Sequence, residues 1–423
     1  MKNRHAFYFI LMSLYSGFVS FTLHHIHFSS AVGIAFLCFS AVIVSALIIS
    51  WTAEAAEFSM SQGLAVAIVA LLQVVPEFMV EAVIAWKQDV DLMMANFTGS
   101  NRLLMGVGWP LIFVTADVYT RIKTGERLKH IDLRPENIVE VGALFLGSVY
   151  FIVVLIKKDL QVYDGIFLGI LFLAYLYFLQ ILPEESEEKK EDLMPMPKYL
   201  VDISSSMAKG AVLTGLFLIG GITMYAVADP FFVSMKEVAA LLGVSAFVFV
   251  QWVAPFLSEF PEKVTAFYWA RTIKLAPMAL LNMISSKVNQ WTLLVSMIPV
   301  VYSFSKGMIS TIPLDWHHRE EILLSMMMTF YGCAILAKLR FTLSNAITLF
   351  LLWLAQFIYP TTFTFLPNLP LVGNNSRLIT SFLFGFFSVY EIGRHYKEFR
   401  IIHGVKETYR LAIHKRNRKR WSS

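Results

Sequence analysis

Gln73-Val74-Val75-Pro76-Glu77 and Ser258-Glu259-Phe260-Pro261-Glu262 each set a proline and a carboxylate inside an apolar stretch. A second motif follows each: Ala95-Asn96-Phe97-Thr98-Gly99-Ser100-Asn101 in the first case, Leu281-Asn282-Met283-Ile284-Ser285-Ser286-Lys287 in the second. The asparagine stands 19 residues after the first glutamate (96 − 77) and 20 after the second (282 − 262). An ordered set that occurs twice is an internal duplication, and the architecture is read outward from it.

The surrounding chain is a membrane sequence. Of 423 residues, 57% are hydrophobic and 15% charged, with mean hydropathy +0.62, whereas soluble domains carry about a quarter charged residues. Apolar runs long enough to cross a hydrocarbon core recur at 7–28, 31–51, 61–86, 91–115, 138–156, 165–182, 209–228, 237–270, 276–304, 320–338, 342–360 and 377–393. Backbone groups in lipid must bond within their own segment, so these runs are helices. The short alternating segments of a β-barrel are absent. The 237–270 run is too long for one simple crossing and is expected to be tilted, broken or extended. Cys38 and Cys333 are far apart in apolar runs and read as packing residues. The chain carries no phosphate loop, which argues against an ATP-driven pump.

Basic residues give the orientation. Lys2 and Arg4, the segment from Arg121 to Arg134, Lys338 with Arg340, and the tail from Arg394 to Arg420 fall on one side, assigned to the cytoplasm. The expected divisions are an N-terminal helix or uncleaved signal anchor (1–30), a first repeat (31–182), an acidic cytoplasmic linker (183–208), a second repeat (209–360), an extra helix (361–395) and a basic cytoplasmic tail (396–423). Both termini are then cytoplasmic, in a plasma or cell inner membrane. The two Pro-Glu helices run in opposite directions, so the halves form an inverted repeat. Binding sites in such folds lie near the midplane, on interrupted helices.

The residue types suit a hard cation. Proline lacks an N–H and clashes with the carbonyl four residues back, which frees backbone oxygens at Pro76 and Pro261. Gln73, Glu77 and Glu81 share one helix face, as do Ser258 and Glu262, with Glu259 adjacent. Asn96, Ser100, Asn282, Ser285 and Ser286 add neutral oxygens. Oxygen ligands of this kind suit calcium or sodium rather than a soft metal. A carboxylate at bilayer depth is costly and points to function. Asn and Ser in membrane helices also serve as interhelical hydrogen-bond glue, so the paired occurrence carries the weight.

The duplicated set resembles the cation/calcium exchanger superfamily, which includes the sodium/calcium exchangers; this chain reads as a divergent member. Its repeats carry G-[TS]-S-x-P-E-like and G-N-x-x-G-S-N-like stretches, matched by Pro76-Glu77 with Asn96 and Gly99-Ser100-Asn101, and by Pro261-Glu262 with Asn282 and Ser285-Ser286. The resemblance implies an all-α polytopic membrane protein with two inverted five-helix repeats in a ten-helix core, here with one extra helix at each end. It also implies a cation site around Glu77 and Glu262, and antiport of Ca2+ against Na+ or H+ by alternating access. The expected partners are inorganic cations and the bilayer, with no nucleic acid, no resident cofactor and no enzymatic activity.

The departures are informative. Leu72, Gln73 and Val74 stand where the family has Gly-Thr-Ser, and Leu257, Ser258 and Glu259 stand there in the second repeat. Lys287 replaces the asparagine matched by Asn101, and Arg102 follows Asn101. A lysine here can take the place of a monovalent cation or tune a carboxylate, or it can snorkel to an interface. Lys287, Glu259, Glu81 and Asn101 are therefore candidates for coupling. Two rival readings remain: a non-transporting or pH-sensing relative with a degenerate site, and a metal-dependent membrane enzyme built on Trp316-His317-His318-Arg319-Glu320-Glu321.

Overall fold

Side-chain capping chemistry marks several helix starts. Ser30, Ser205, Ser245 and Asp315 each accept from a backbone N–H three residues on, which satisfies a donor that the first turn leaves unpaired. The computed structural model describes residues 2–25, 30–58, 62–182, 190–364, 376–400 and 404–411. Sixteen helices are used below: α1 (Lys2–His25), α2 (Ala31–Glu57), α3 (Gln62–Trp86), α4 (Val90–Leu103), α5 (Trp109–Thr124), α6 (Ile138–Lys157), α7 (Val162–Ile181), α8 (Pro195–Val201), α9 (Ser206–Leu241), α10 (Ala246–Ser258), α11 (Phe260–Ala270), α12 (Ala276–Asn289), α13 (Val295–Lys306), α14 (Trp316–Leu336), α15 (Leu343–Thr364) and α16 (Ser376–His395). Two-residue and three-residue strands β1 (His130–Asp132), β2 (Asp159–Leu160), β3 (Ile312–Pro313) and β4 (Arg340–Thr342) are the only strands among the described residues.

Six helical stretches in the described residues are long and apolar enough to cross a membrane, the longest being Val90–Thr124 and Ser206–Leu241. The protein is an integral, multi-pass, all-helical membrane protein. Both cysteines are buried and free.

The boundaries differ from expectation at one place and meet it at another. Residues 206–241 form one helix, so the expected break between 228 and 237 does not occur. Pro230 lies inside it, and Asp229 is held in an ion pair with Lys87 at 2.5 Å. The 237–270 run is broken twice, at Leu242–Ser245 and at Glu259. Pro76, by contrast, lies within a continuous α3. Pro261 is tolerated because it sits in the first turn of α11, where its missing N–H would have had no intrahelical acceptor.

The chain forms two compact units. The first comprises Met1–Gly99 and Glu185–Thr265, the second Ser100–Glu184 and Ala266–Ser423. In the first, α2 packs along α9, and α1 and α3 lie against both. Phe9, Ile48, Ala55, Leu200, Leu213 and Leu216 form a core where α1, α2, α8 and α9 meet.

In the second unit the duplication is visible in the backbone itself. α4 joins α5 through a π turn at Leu104–Gly108, and α12 joins α13 through a π turn at Gln290–Leu294. Gly125 and Gly307 end α5 and α13 in the left-handed region, each five residues before a strand, at His130 and Ile312. Lys158 and Leu339 are left-handed too, each directly before a strand, at Asp159 and Arg340.

The strands then pair crosswise. β1 pairs antiparallel with β4, and β2 with β3. Leu133 N donates to Leu339 O at 2.8 Å, and its counterpart Leu314 N donates to Lys158 O at 2.9 Å. So the start of α6 lies beside the end of α14, and the end of α6 beside the start of α14. Helices at the same place in the two halves run in opposite directions, which is the inverted repeat.

The β1–β4 ribbon also gathers charge. It brings the Arg121–Arg134 segment to Lys338 and Arg340, and Arg400 N donates to Ala337 O at 3.0 Å beside them.

Candidate functional site

In the first unit the acidic residues sit on helices that the duplication singled out. Glu77 and Glu81 are buried on α3, one turn apart, and Glu81 is completely enclosed. Asn96, on α4, donates from Nδ2 to Oε2 of Glu81 at 2.5 Å. That bond orients the amide, and Asn96 Oδ1 meets no hydrogen-bond donor among the described residues. A buried amide oxygen without a donor is costly unless something positive meets it. Ser100, one turn further along the same helix, likewise has a buried hydroxyl without a hydrogen-bond partner among the described residues.

Gly99 shows why α4 can approach its neighbour. A Cβ there would collide with the backbone carbonyl of Gln251 in α10. Beside it, Gln251 Nε2 reaches Thr98 Oγ1 at 3.4 Å. The glycine of the Gly-Ser-Asn stretch is thus a packing requirement of this helix crossing.

The second Pro-Glu segment is built differently. Ser258 closes α10, and its hydroxyl donates to Ala254 O at 3.0 Å, leaving lone pairs free to accept. Glu262 is buried in the first turn of α11, where the helix dipole favours a negative charge. Glu259, expected as a coupling candidate, is paired with Lys263 Nζ at 2.5 Å, both side chains buried. Lys263 was missed by the sequence reading. Its signal was the Glu-to-Lys spacing of four, which brings such side chains together on a helix. The side chain of Gln73 lies outside the described residues.

In the second unit, Asn282 and Ser285 are half-buried on α12, and Ser286 is buried. Tyr175 Oη donates to Ser285 Oγ at 3.2 Å. Lys287 does not reach an interface. It is fully enclosed, and its Nζ donates to the Asn101 carbonyl at 2.8 Å and stands 3.4 Å from Asn101 Oδ1. Snorkelling is excluded, because the stem and the ammonium are both inside the protein.

Arg102 is equally enclosed, and Glu321 neutralises it. The same carboxylate pairs with Arg377 of α16 through its other oxygen, while Arg102 Nη1 donates to Gln356 Oε1 at 2.9 Å. This cluster ties α4, α14, α15 and α16 together. It also takes up Glu321, the last residue of the His-His-Arg-Glu-Glu run. His318 and Asp315 exchange backbone hydrogen bonds at the start of α14, with Asp315 Oδ1 accepting at 2.8 Å and His318 Nδ1 at 3.3 Å. Asp315, His318 and Glu321 therefore have structural partners.

Comparison with known proteins gives consistent results. The family model described as sodium/calcium exchanger protein matches residues 29–180 and 212–362. The crystal structure of the H+/Ca2+ exchanger CAX is 30% identical, covers 97% of this chain and 99% of its own, and superposes with TM-score 0.85. The structure of native YfkE is 14% identical, covers 82% of this chain and 97% of its own, and has TM-score 0.57, a likeness of fold. No match is found among curated proteins.

Proposed function

The chain belongs to the sodium/calcium exchanger protein family, and from that premise we propose that it exchanges Ca2+ for H+ across the membrane, using Glu77 and Glu262 as the cation-binding carboxylates. Cation antiport is the family's activity; the choice of ions and residues is the reading advanced here. One observation carries it: Glu77, Glu81 and Glu262 are all buried within one compact unit, where Asn96 holds Glu81 and keeps an amide oxygen that meets no donor among the described residues.

The chemistry follows from charge. Two ionised carboxylates in a water-poor setting demand positive charge, and Ca2+ takes carboxylate, amide, hydroxyl and backbone oxygens together. Asn96 and Ser258 supply neutral oxygens from this unit. Asn282, Ser285, Ser286, Ser100 and Gln73 remain candidates by their place in the duplicated motifs. Protonation of the carboxylates removes the demand for Ca2+, so H+ and Ca2+ compete for the same oxygens. Exchange then requires only that the loaded carboxylates face each side in turn.

The relative of 30% identity is an H+/Ca2+ exchanger, and the hydroxyls lost before Pro76 remove ligands of the kind Na+ uses. Hence H+ rather than Na+ is assigned as the coupling ion. The basic segments gathered at the β1–β4 ribbon support a cytoplasmic position for that end, in a plasma or cell inner membrane. The expected divisions, with repeats at 31–182 and 209–360, are retained in this reading.

The test is Ca2+ uptake into proteoliposomes under an imposed pH gradient. Wild type should accumulate Ca2+, and Glu77→Gln and Glu262→Gln should each lose it. Gradient-dependent uptake that survives in both variants would sink the assignment.

A further inference from the structure

Lys287 is the buried charge that the carboxylate chemistry does not use. Among the groups its ammonium meets are the Asn101 carbonyl at 2.8 Å, the Asn101 amide oxygen at 3.4 Å, and the face of Trp291, whose centroid lies 5.9 Å away. The indole is held in place by donating to Thr329 Oγ1 at 3.0 Å. A peptide oxygen with an amide oxygen is a donor set that a dehydrated Na+ takes in membrane transporters, and the ring face adds attraction for any cation.

The place of Lys287 in the fold is as telling as its contacts. Asn101 follows Gly99-Ser100 and precedes the π turn at Leu104 by three residues. Lys287 follows Ser285-Ser286 and precedes the π turn at Gln290 by three residues. The two residues are counterparts in the inverted repeat, and they touch. Counterparts related by a two-fold can touch only beside the axis, so this pair flanks it, with the ammonium on the Asn101 side.

We infer that Lys287 is a tethered monovalent cation: its ammonium fills a Na+ subsite formed by the Asn101 oxygens beside the pseudo-two-fold axis and thereby removes Na+ from the ions able to drive exchange. The inference rests on the exchanger reading for its consequence in transport, while occupancy of the subsite is tested separately by Na+ binding. An ammonium and Na+ carry the same single charge and are attracted to the same oxygens. The lysine, being covalently attached, cannot leave during the cycle. In the first repeat the counterpart is Asn101, whose amide contributes an oxygen instead of a charge.

The experiment measures 22Na+ binding to the purified full-length protein by scintillation proximity, together with Ca2+ uptake into proteoliposomes under a pH gradient or a Na+ gradient. Lys287→Asn gives both repeats the same residue. It should gain a saturable Na+ site that wild type lacks, and Na+-gradient-driven uptake should appear. An exchange variant, Asn101→Lys with Lys287→Asn, carries the ammonium on the opposite helix and should lose that Na+ site again. Lys287→Asn that folds and binds no more Na+ than wild type overturns the inference. So does an exchange variant that binds Na+ as the single variant does, or the failure of both variants to fold, since a charge needed only as a cation can be carried from either helix. Retained uptake in Glu77→Gln would instead overturn the exchanger site and leave the Na+ result standing.

Discussion

Removing the carboxylate of Glu321 should be among the most damaging single changes in the second unit. Arg102 is 2% exposed and Glu321 1%, so each is the other's substitute for water. Replacing Glu321 with Leu leaves the Arg102 guanidinium enclosed without a counter-charge, a loss of about 3–5 kcal/mol for a broken buried pair. Gln356 Oε1 still accepts from Nη1, but a neutral amide oxygen does not replace the lost carboxylate charge. Arg377, 31% exposed, can turn to solvent and loses little. Replacing Arg102 and Glu321 together by Leu removes both charges, and such swaps are often neutral or stabilising by about 1–4 kcal/mol. The measurement is a double-mutant cycle on purified protein in detergent, read as the thermal midpoint from intrinsic tryptophan fluorescence. Glu321→Leu alone should melt well below wild type, and the double variant should recover most of the loss. If the double variant loses the sum of the losses of Glu321→Leu and Arg102→Leu alone, the two groups are not coupled and the argument from burial is wrong.

Gly99→Ala should cost about 1–3 kcal/mol or more, because the added methyl meets backbone rather than a movable side chain; a thermal midpoint equal to wild type would show that α4 and α10 can separate freely. Lys338→Met leaves Glu391 buried without its 2.5 Å partner, with Asn345 Nδ2 still donating at 3.3 Å, and should expose α16 to limited proteolysis. Glu391→Gln in the same background should restore protection, and equal cleavage of both would count against an ionic anchor. Glu259→Gln should lower thermal stability while leaving pH-driven Ca2+ uptake in place, since that carboxylate is committed to Lys263; loss of uptake at unchanged stability would make Glu259 a ligand.

The duplication and the spanning helices were legible because their signals are local. Proline and glutamate inside an apolar run stand out, and an asparagine about one helix length later repeats the signal. The break near 243 is likewise written in Gly243-Val244-Ser245, where glycine takes a positive φ and serine caps the next helix. The sequence reading ended one apolar run at 228 and began the next at 237, whereas Asp229 and Pro230 lie inside one continuous helix. Asp229 pairs with Lys87, whose sequence position gives no hint of the pairing. The same holds for Arg102 and Glu321, 219 residues apart, and for Lys287 and Asn101, 186 apart. Long-range charge pairing leaves no periodicity, so the sequence could name Lys287 as anomalous without saying what it touches.

The crosswise ribbons impose an order on biosynthesis. β1 begins at residue 130 and its partner β4 at residue 340, 210 residues later (340 − 130). At the usual rate of synthesis, the first strand waits roughly 10–40 s for its partner to be made. During that time the nascent first half holds an unpaired strand edge at each end of α6, and any early closure of the bundle would have to be undone to admit α14. A chain stopped after the first repeat would keep both edges open, which makes that half a substrate for quality control rather than a stable intermediate.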